Sequence, residues 1–168
     1  MVSGAAGYEA VYAVNGERDI KKWAYLPEEM GSNGYIYDYT YTGNVTADPN
    51  ANGFRLPVAE EWLFFAAGGE NYKYAGSDNF EEVGWFIENS SRKIHPVGEK
   101  KPNGFGLYDM SGNFKEWVFE KDPKDSEQYY QYGGHFYSHG KDSDIKKWQE
   151  TSRATYSDAG LRLVRTVR

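Results

Sequence analysis

At 168 residues the chain has the length of one domain, 1–168, with room to bury a core. Its 39% hydrophobic and 26% charged residues fit a globular protein and exclude intrinsic disorder. The net charge of −6, with basic residues dispersed among acidic ones, argues against a nucleic-acid partner. The absence of cysteine excludes disulfides, thiolate metal sites and cysteine nucleophiles.

In chain order, Met1–Gly7 has neither a basic region nor a long apolar segment, so it does not read as a signal peptide. A secreted or cell-surface location would place any targeting signal outside this sequence. The alternation Tyr35-Ile36-Tyr37-Asp38-Tyr39-Thr40-Tyr41 predicts a strand with its tyrosines on one face, read as a packed face ahead of a ligand platform. Turn clusters follow at 31–34, 48–53, 101–104 and 122–126. Between them Val58–Ala67 predicts a helix, preceded by Pro57, acidic in its first turn and closed by Gly68-Gly69. Val58 is a weak N-cap because its side chain cannot accept the free amide hydrogens. The longest unbroken apolar run, Trp62–Ala67, is too short to span a bilayer. Tyr129–Phe136 and Gly160–Val167 read as strands, and most of the remainder as loop. The fold class is α+β with much irregular structure. Aromatic residues at 17% suit both a β-rich core and a recognition surface.

Several blocks fall in a recognisable order. Asn52-Gly53-Phe54-Arg55-Leu56-Pro57 leads into Glu60-Glu61-Trp62 and Ala66-Ala67-Gly68-Gly69. Tyr74-Ala75-Gly76-Ser77, Val83-Gly84-Trp85-Phe86 and His95-Pro96-Val97-Gly98 follow. Next comes Asn103-Gly104-Phe105-Gly106-Leu107-Tyr108-Asp109-Met110-Ser111-Gly112-Asn113-Phe114-Lys115-Glu116-Trp117, then Gly133-Gly134 and Gly160-Leu161-Arg162-Leu163-Val164-Arg165. The set resembles the formylglycine-generating, sulfatase-modifying enzyme superfamily over residues 11–165, most strongly over 50–165. The resemblance implies a C-type-lectin-like fold of the formylglycine-generating-enzyme type, with few helices, short strands and long loops. The front portion that family domains carry, with a Gly-Gly-x-Phe-x-Met-Gly start and a first helix pair, has no counterpart here. The chain begins near the family block seen at Val11–Trp23. A core face left uncovered would favour self-association.

The family's oxidising enzymes, as the resemblance implies, hold copper(I) with two cysteines after the Gly-Gly pair. Those positions are Ser138 and Ser143, and a hydroxyl is a poor ligand for so soft an ion. Lys115 stands where the family places a tryptophan, and His135 where it places a serine. The chain is therefore expected to be no enzyme and to bind no copper. His135 and His139 read as a surface pair, and Ser138 as a loop residue without an oriented base. Calcium needs only oxygens. The resemblance implies a structural Ca2+ held by Asp109, the carbonyls of Gly112 and Phe114, and Glu116. A second calcium loop found in some relatives is not recognisable between Trp85 and His95.

With the redox pair gone, the loops after Gly134 are open to recognition. Relatives of this type include variable receptors of bacteria and phages, rewritten between Gly-Gly and the closing Arg block by diversity-generating retroelements. The matching positions are His135, Phe136, Tyr137, Ser138, His139, Asp142, Ser143, Asp144, Trp148, Tyr156 and Ser157. Their mix of stiff aromatics and small polar groups suits a paratope-like surface for a protein or other surface ligand. An uncharacterised activity on the same fold and a structural or assembly subunit are the alternatives.

Overall fold

The computed structural model describes residues 7–19, 45–48, 50–146, 149–153 and 159–167; the tyrosine-rich 35–41 segment lies outside them. Contacts divide the chain into two compact units, Met1–Arg55 with Leu163–Arg168, and Leu56–Arg162. Among the described residues no helix is long and apolar enough to cross a membrane.

In the first unit, β1 (Tyr12–Val14) pairs antiparallel with β2 (Val45–Ala47), and β3 (Phe54–Arg55) pairs antiparallel with β8 (Val164–Arg165). Strands this short need side-chain ties. Arg18 donates to Asp48 Oδ2 at 2.6 Å and to the Ala10 carbonyl at 2.9 Å. The Arg165 guanidinium lies 4.8 Å from the Tyr8 ring, and Tyr8 meets Phe54 edge-on.

The second unit holds two helices, α1 (Ala59–Ala67) and α2 (Phe80–Val83), and a four-stranded sheet in the order β6-β5-β4-β7. β4 is Lys115–Asp122, β5 Asp125–Tyr132, β6 Gln149–Arg153 and β7 Ala159–Leu161. The β4–β5 hairpin turns over Asp122–Asp125, where Asp122 Oδ1 accepts the Lys124 amide at 2.8 Å and starts the reversal. β7 runs parallel to β4, with Gly160 opposite Glu116.

The helix expected over Val58–Ala67 is present from Ala59, and its weak cap is compensated from elsewhere. Glu61 accepts the Val58 amide at 3.0 Å, and Glu120 on β4 accepts the Ala59 amide at 3.2 Å. At the other end Gly68 takes the left-handed conformation (φ 63°). Asn103 donates there to the carbonyls of Phe65 at 2.6 Å and Ala66 at 3.2 Å. Both helix ends are thus closed by distant residues. The buried stripe of α1 carries Trp62, which is 0% exposed and stacks on Tyr132 at 5.2 Å. Ala59, Ala66, Met110, Val118 and Ile145 complete this core.

Two expected strands are cut short for identifiable reasons. Tyr129–Phe136 stops at Tyr132 because Gly133 (φ 98°) and Gly134 (φ 72°) turn the backbone out of extension. Gly160–Val167 divides into β7 and β8, which pair in different sheets. The fold is otherwise the expected α+β arrangement of few helices, short strands and long loops.

The loops pack by backbone contact. A Cβ added at Gly84 would sit 2.3 Å from the Ser111 carbonyl oxygen, which belongs to main chain and cannot swing aside. Gly84→Ala is therefore expected to lower the unfolding free energy by about 2 kcal/mol or more, the scale of a backbone shift in a packed interior. Gly98→Ala, whose Cβ would meet nothing within 4 Å despite its φ of 81°, should cost about 1 kcal/mol. Urea unfolding of the two variants checks the order.

Candidate functional site

The segment after Gly133-Gly134 is a loop fixed to three parts of the second unit. The Gly112 amide donates to the Gly133 carbonyl at 2.7 Å and holds the strand exit. The Phe136 amide donates to the Asn113 carbonyl at 3.2 Å, and Ser90 Oγ donates to the Phe136 carbonyl at 2.9 Å. The Ile87 amide donates to the Ser138 carbonyl at 3.0 Å. Farther along, the Ile145 amide donates to the Lys73 carbonyl, Lys73 Nζ to the Lys141 carbonyl, and Lys146 Nζ to Asn71 Oδ1. The backbone of the loop is held at both ends and in the middle.

Asn113 organises the support beneath. Its φ of 60° is one that asparagine tolerates. Its side chain both accepts from and donates to the His95 backbone, at 3.0 Å each, and its amide donates to the Trp85 carbonyl at 2.8 Å. His95 stacks on Trp85 at 3.7 Å with the rings 9° from parallel, and Lys100 Nζ sits 3.9 Å from the Trp85 ring centre.

On this base the loop presents aromatic rings. Phe136 stacks on Phe114 at 6.1 Å and contacts Tyr137 at 4.6 Å, with His135 edge-on to both. Tyr137 is 50% exposed. The Tyr137 amide donates to His135 Nδ1 at 3.2 Å, which makes that ring nitrogen an acceptor. Ser138 Oγ accepts the His135 amide at 3.1 Å, and the Ser138 amide returns to the His135 carbonyl at 2.8 Å.

Of the other expected contact residues, His139 and Asp142 are exposed and Asp144 is half-buried, its Oδ1 accepting the Lys146 amide at 2.9 Å. Ser143 departs from the expectation of a surface contact. It is 1% exposed, donates to the His139 carbonyl at 2.9 Å and packs against Gly134. Its small hydroxyl closes the turn from beneath, out of a partner's reach. Trp148, Tyr156 and Ser157 lie outside the described residues. A short 3-10 turn, Gly140–Asp142, begins where a Cβ on Gly140 would strike the Phe80 ring at 2.4 Å.

Glu88 was not picked out by sequence and is central to the loop. One oxygen pairs with His139 Nδ1 at 3.0 Å and the other accepts the Gly140 amide at 3.1 Å. Burial pulls this carboxyl upward, but the Gly140 amide and the His139 ring outweigh it and hold Glu88 below its ordinary value of 4.5. A lowered carboxyl stabilises the fold in its ionised form, so this contribution is complete above 4.5 and is lost as pH falls through the lowered value. Amide exchange at Gly140 should therefore lose protection, relative to the Trp62 amide, as pH drops below that range. Glu88→Gln should show no such acid step.

Glu116, expected as a calcium ligand, is 8% exposed and is the hub of a polar cluster. Its Oε2 accepts from Trp62 Nε1 at 2.8 Å and from Arg162 Nε at 3.0 Å; its Oε1 accepts from Arg162 Nη2 at 2.8 Å. Arg162 Nη2 also donates to the Tyr108 carbonyl at 3.0 Å. A cation reaching Glu116 would share the carboxylate with a guanidinium. Asp109 (φ 56°) accepts the Gly98 amide on Oδ2 at 2.7 Å, while its Oδ1 is buried without a hydrogen-bond partner. Of the two carboxylates expected to bind the ion, then, one is already paired with a guanidinium, and the other holds the Gly98 amide on one oxygen and buries its second. Among the described residues no three His, Asp or Glu side chains gather as a metal site. Val97, Tyr108, Asp109, Phe114, Leu161 and Arg162 surround a cavity of about 300 Å³ beside this cluster. Glu116→Gln, which leaves Arg162 without its counter-charge, should cost about 2–4 kcal/mol in urea unfolding at neutral pH.

A helix capped from the sheet, a Gly-Gly strand exit and a pinned aromatic loop together define a domain of the formylglycine-generating-enzyme fold type. The Sulfatase-modifying factor enzyme 1-like domain matches residues 11–167, and the chain belongs to that family. Among solved structures it is similar to Treponema denticola variable protein 1, with a TM-score of 0.78 and 25% identity, covering 96% of this chain and 64% of that one. It is also similar to CarF, with a TM-score of 0.73 and 28% identity, covering 99% and 62%. Among curated proteins, the Chaperone protein LppX of Paenibacillus barcinonensis is 41% identical over 96 residues, covering 45% of this chain and 34% of that protein. The Formylglycine-generating enzyme of Mycobacterium tuberculosis is 35% identical over 80 residues, covering 39% and 27%. The chain thus spans about a third or less of the curated relatives it matches.

Proposed function

We propose that this chain is a non-catalytic recognition domain whose 135–144 loop is the binding face for a protein or other surface ligand. The observation that carries this reading is a loop with its backbone fixed to three scaffold segments while Tyr137 and Phe136 form an aromatic surface. Fixing the backbone beforehand removes ordering cost from binding, and aromatic rings supply contact area with few rotamers to lose. Likeness to a protein named a variable protein supports a diversified loop of the retroelement type.

Loss of the family's oxidation chemistry follows from the two serines. Ser143 is buried and donates to main chain, and Ser138 accepts from a main-chain amide; neither hydroxyl offers the soft thiolate that copper(I) prefers. In this reading Arg162, in place of Ca2+, neutralises Glu116. The match to a protein named as a chaperone favours a second reading, an assembly or chaperone subunit that uses the same aromatic face.

Peptides selected by display against the immobilised domain test the face. Phe136→Ala with Tyr137→Ala is expected to weaken the selected binders about tenfold or more, with circular dichroism verifying that the domain stays folded. Binders indifferent to both substitutions would overturn the assignment. Copper-dependent oxygen consumption with a thiol peptide would overturn the non-catalytic reading.

A further inference from the structure

The turn that follows Ser90 is tied to the aromatic loop through one buried hydroxyl. Ser90, 0% exposed, accepts the Arg92 amide on Oγ at 3.1 Å and donates from the same atom to the Phe136 carbonyl at 2.9 Å. Its carbonyl takes the Lys93 amide at 3.2 Å and lies 2.9 Å from His95 Nε2. Ser91 (φ 55°) and Arg92 (φ 56°) both stand in the left-handed region, which residues with a Cβ rarely enter twice in succession. The Ser90 bonds hold the turn in that shape, with Arg92, Lys93 and Ile94 exposed next to the Phe136 backbone. Among the described residues neither the Arg92 nor the Lys93 side chain has an ion-pair or hydrogen-bond partner.

The charge of this stretch is opposite to that of the chain. Residues 91–101 carry Arg92, Lys93, Lys100 and Lys101 against a single carboxylate, Glu99, in a protein of net charge −6. Lys100 is committed to the Trp85 ring and the Glu81 carbonyl, and Glu99 lies 3.8 Å from His95 Nδ1. Glu88, the carboxylate that the loop itself touches, is engaged by His139 and the Gly140 amide. Apolar side chains share the same exposed stretch, Ile94 at 58% and Val97 at 83%.

We propose that an acidic polypeptide segment docks across Phe136 and Tyr137 with its carboxylates on Arg92 and Lys93. An arginine fork takes a carboxylate through two parallel N–H bonds, and the neighbouring ammonium adds a point charge. Neither cation has an internal partner to give up first. The net charge of the chain does not decide the matter, because exposed charges farther off than about 8 Å are largely screened at physiological salt. A basic segment would meet two like charges at the same place. The arrangement is an aromatic centre with a charged rim, in which the centre supplies affinity and the rim selects the sign of the partner.

The inference rests on the loop being the binding face, and the test separates the two. Peptides selected from a random display library against the wild-type domain are measured against three double variants. These are Phe136→Ala with Tyr137→Ala, Arg92→Glu with Lys93→Glu, and Lys121→Glu with Lys124→Glu. The last pair, exposed at the β4–β5 hairpin, changes the net charge equally and serves as the control. The bonds that shape the 91–93 turn come from Ser90 and main chain, so the reversed turn should fold, which circular dichroism verifies. The expected result is an excess of Asp and Glu in the selected peptides. Their affinity should fall about fivefold or more on reversing Arg92 and Lys93, chiefly in the association rate, and little in the control. Binders sensitive to the aromatic pair but indifferent to the reversed turn would leave the face standing and overturn the acidic partner. An equal loss in the control would also overturn it, since net charge alone would then account for the effect. Binders indifferent to all three variants would overturn both readings. Phosphatidylglycerol vesicles are the last arm: saturable binding lost on reversing the turn, with no acidic excess among the peptides, would assign Arg92 and Lys93 to an anionic lipid surface and overturn the proposal.

Discussion

The carboxylate of Glu116 meets an indole N–H from α1 and a guanidinium from the residue that follows β7, while its own backbone lies in β4. A buried charge is tolerable only when its lone pairs are filled, so the sheet and helix must come together at one geometry for this group to be inside at all. Trp62, held by that bond, then stacks on Tyr132 in the neighbouring strand. The Gly-Gly exit follows immediately and launches the 135–144 loop. Displacing Glu116 would loosen the helix, the strand exit and the loop together.

The loop shows how a long irregular segment is given a fixed shape without secondary structure. Its amides and carbonyls are satisfied by Asn113, Ser90, Ile87, Lys73 and Glu88, which come from segments separated in sequence. These bonds fix the backbone of the loop, while His135, Ser138 and Ser143 tie their own side chains back into it. Rigid backbone with projecting rings is an arrangement in which affinity depends on what the rings touch and little on ordering.

Much of the architecture was legible in the sequence because it is written in local signals. Pro57, the acidic turn and Gly68 mark α1; the 122–126 cluster marks the hairpin; the ordered motif blocks mark the family. The strand expected over Tyr129–Phe136 ends early at its two glycines, whose positive φ decides the matter. The aromatic positions of the loop were picked out through the family resemblance, whereas the inward turn of Ser143 was not legible, since it depends on packing against Gly134. Arg162 sat within a recognised block, yet nothing local says that its guanidinium meets Glu116 across 46 positions. Glu88 carries no motif at all, and its role exists only once His139 and Gly140 are brought beside it.

The close approach of Gly140 to the Phe80 ring, and of Gly134 to Ser143, divides the loop into two kinds of position. At the first kind a new side chain must displace something already in place, so most substitutions are lost before they can be tried as contacts. At Tyr137, Lys141 and Asp142 the side chains are exposed, and replacement is paid for only in contacts. A lineage that changes this loop rapidly would therefore explore a small, spatially defined alphabet of sites, with the glycines acting as fixed punctuation. How far such a loop can vary is set less by its length than by how many of its residues carry no structural duty.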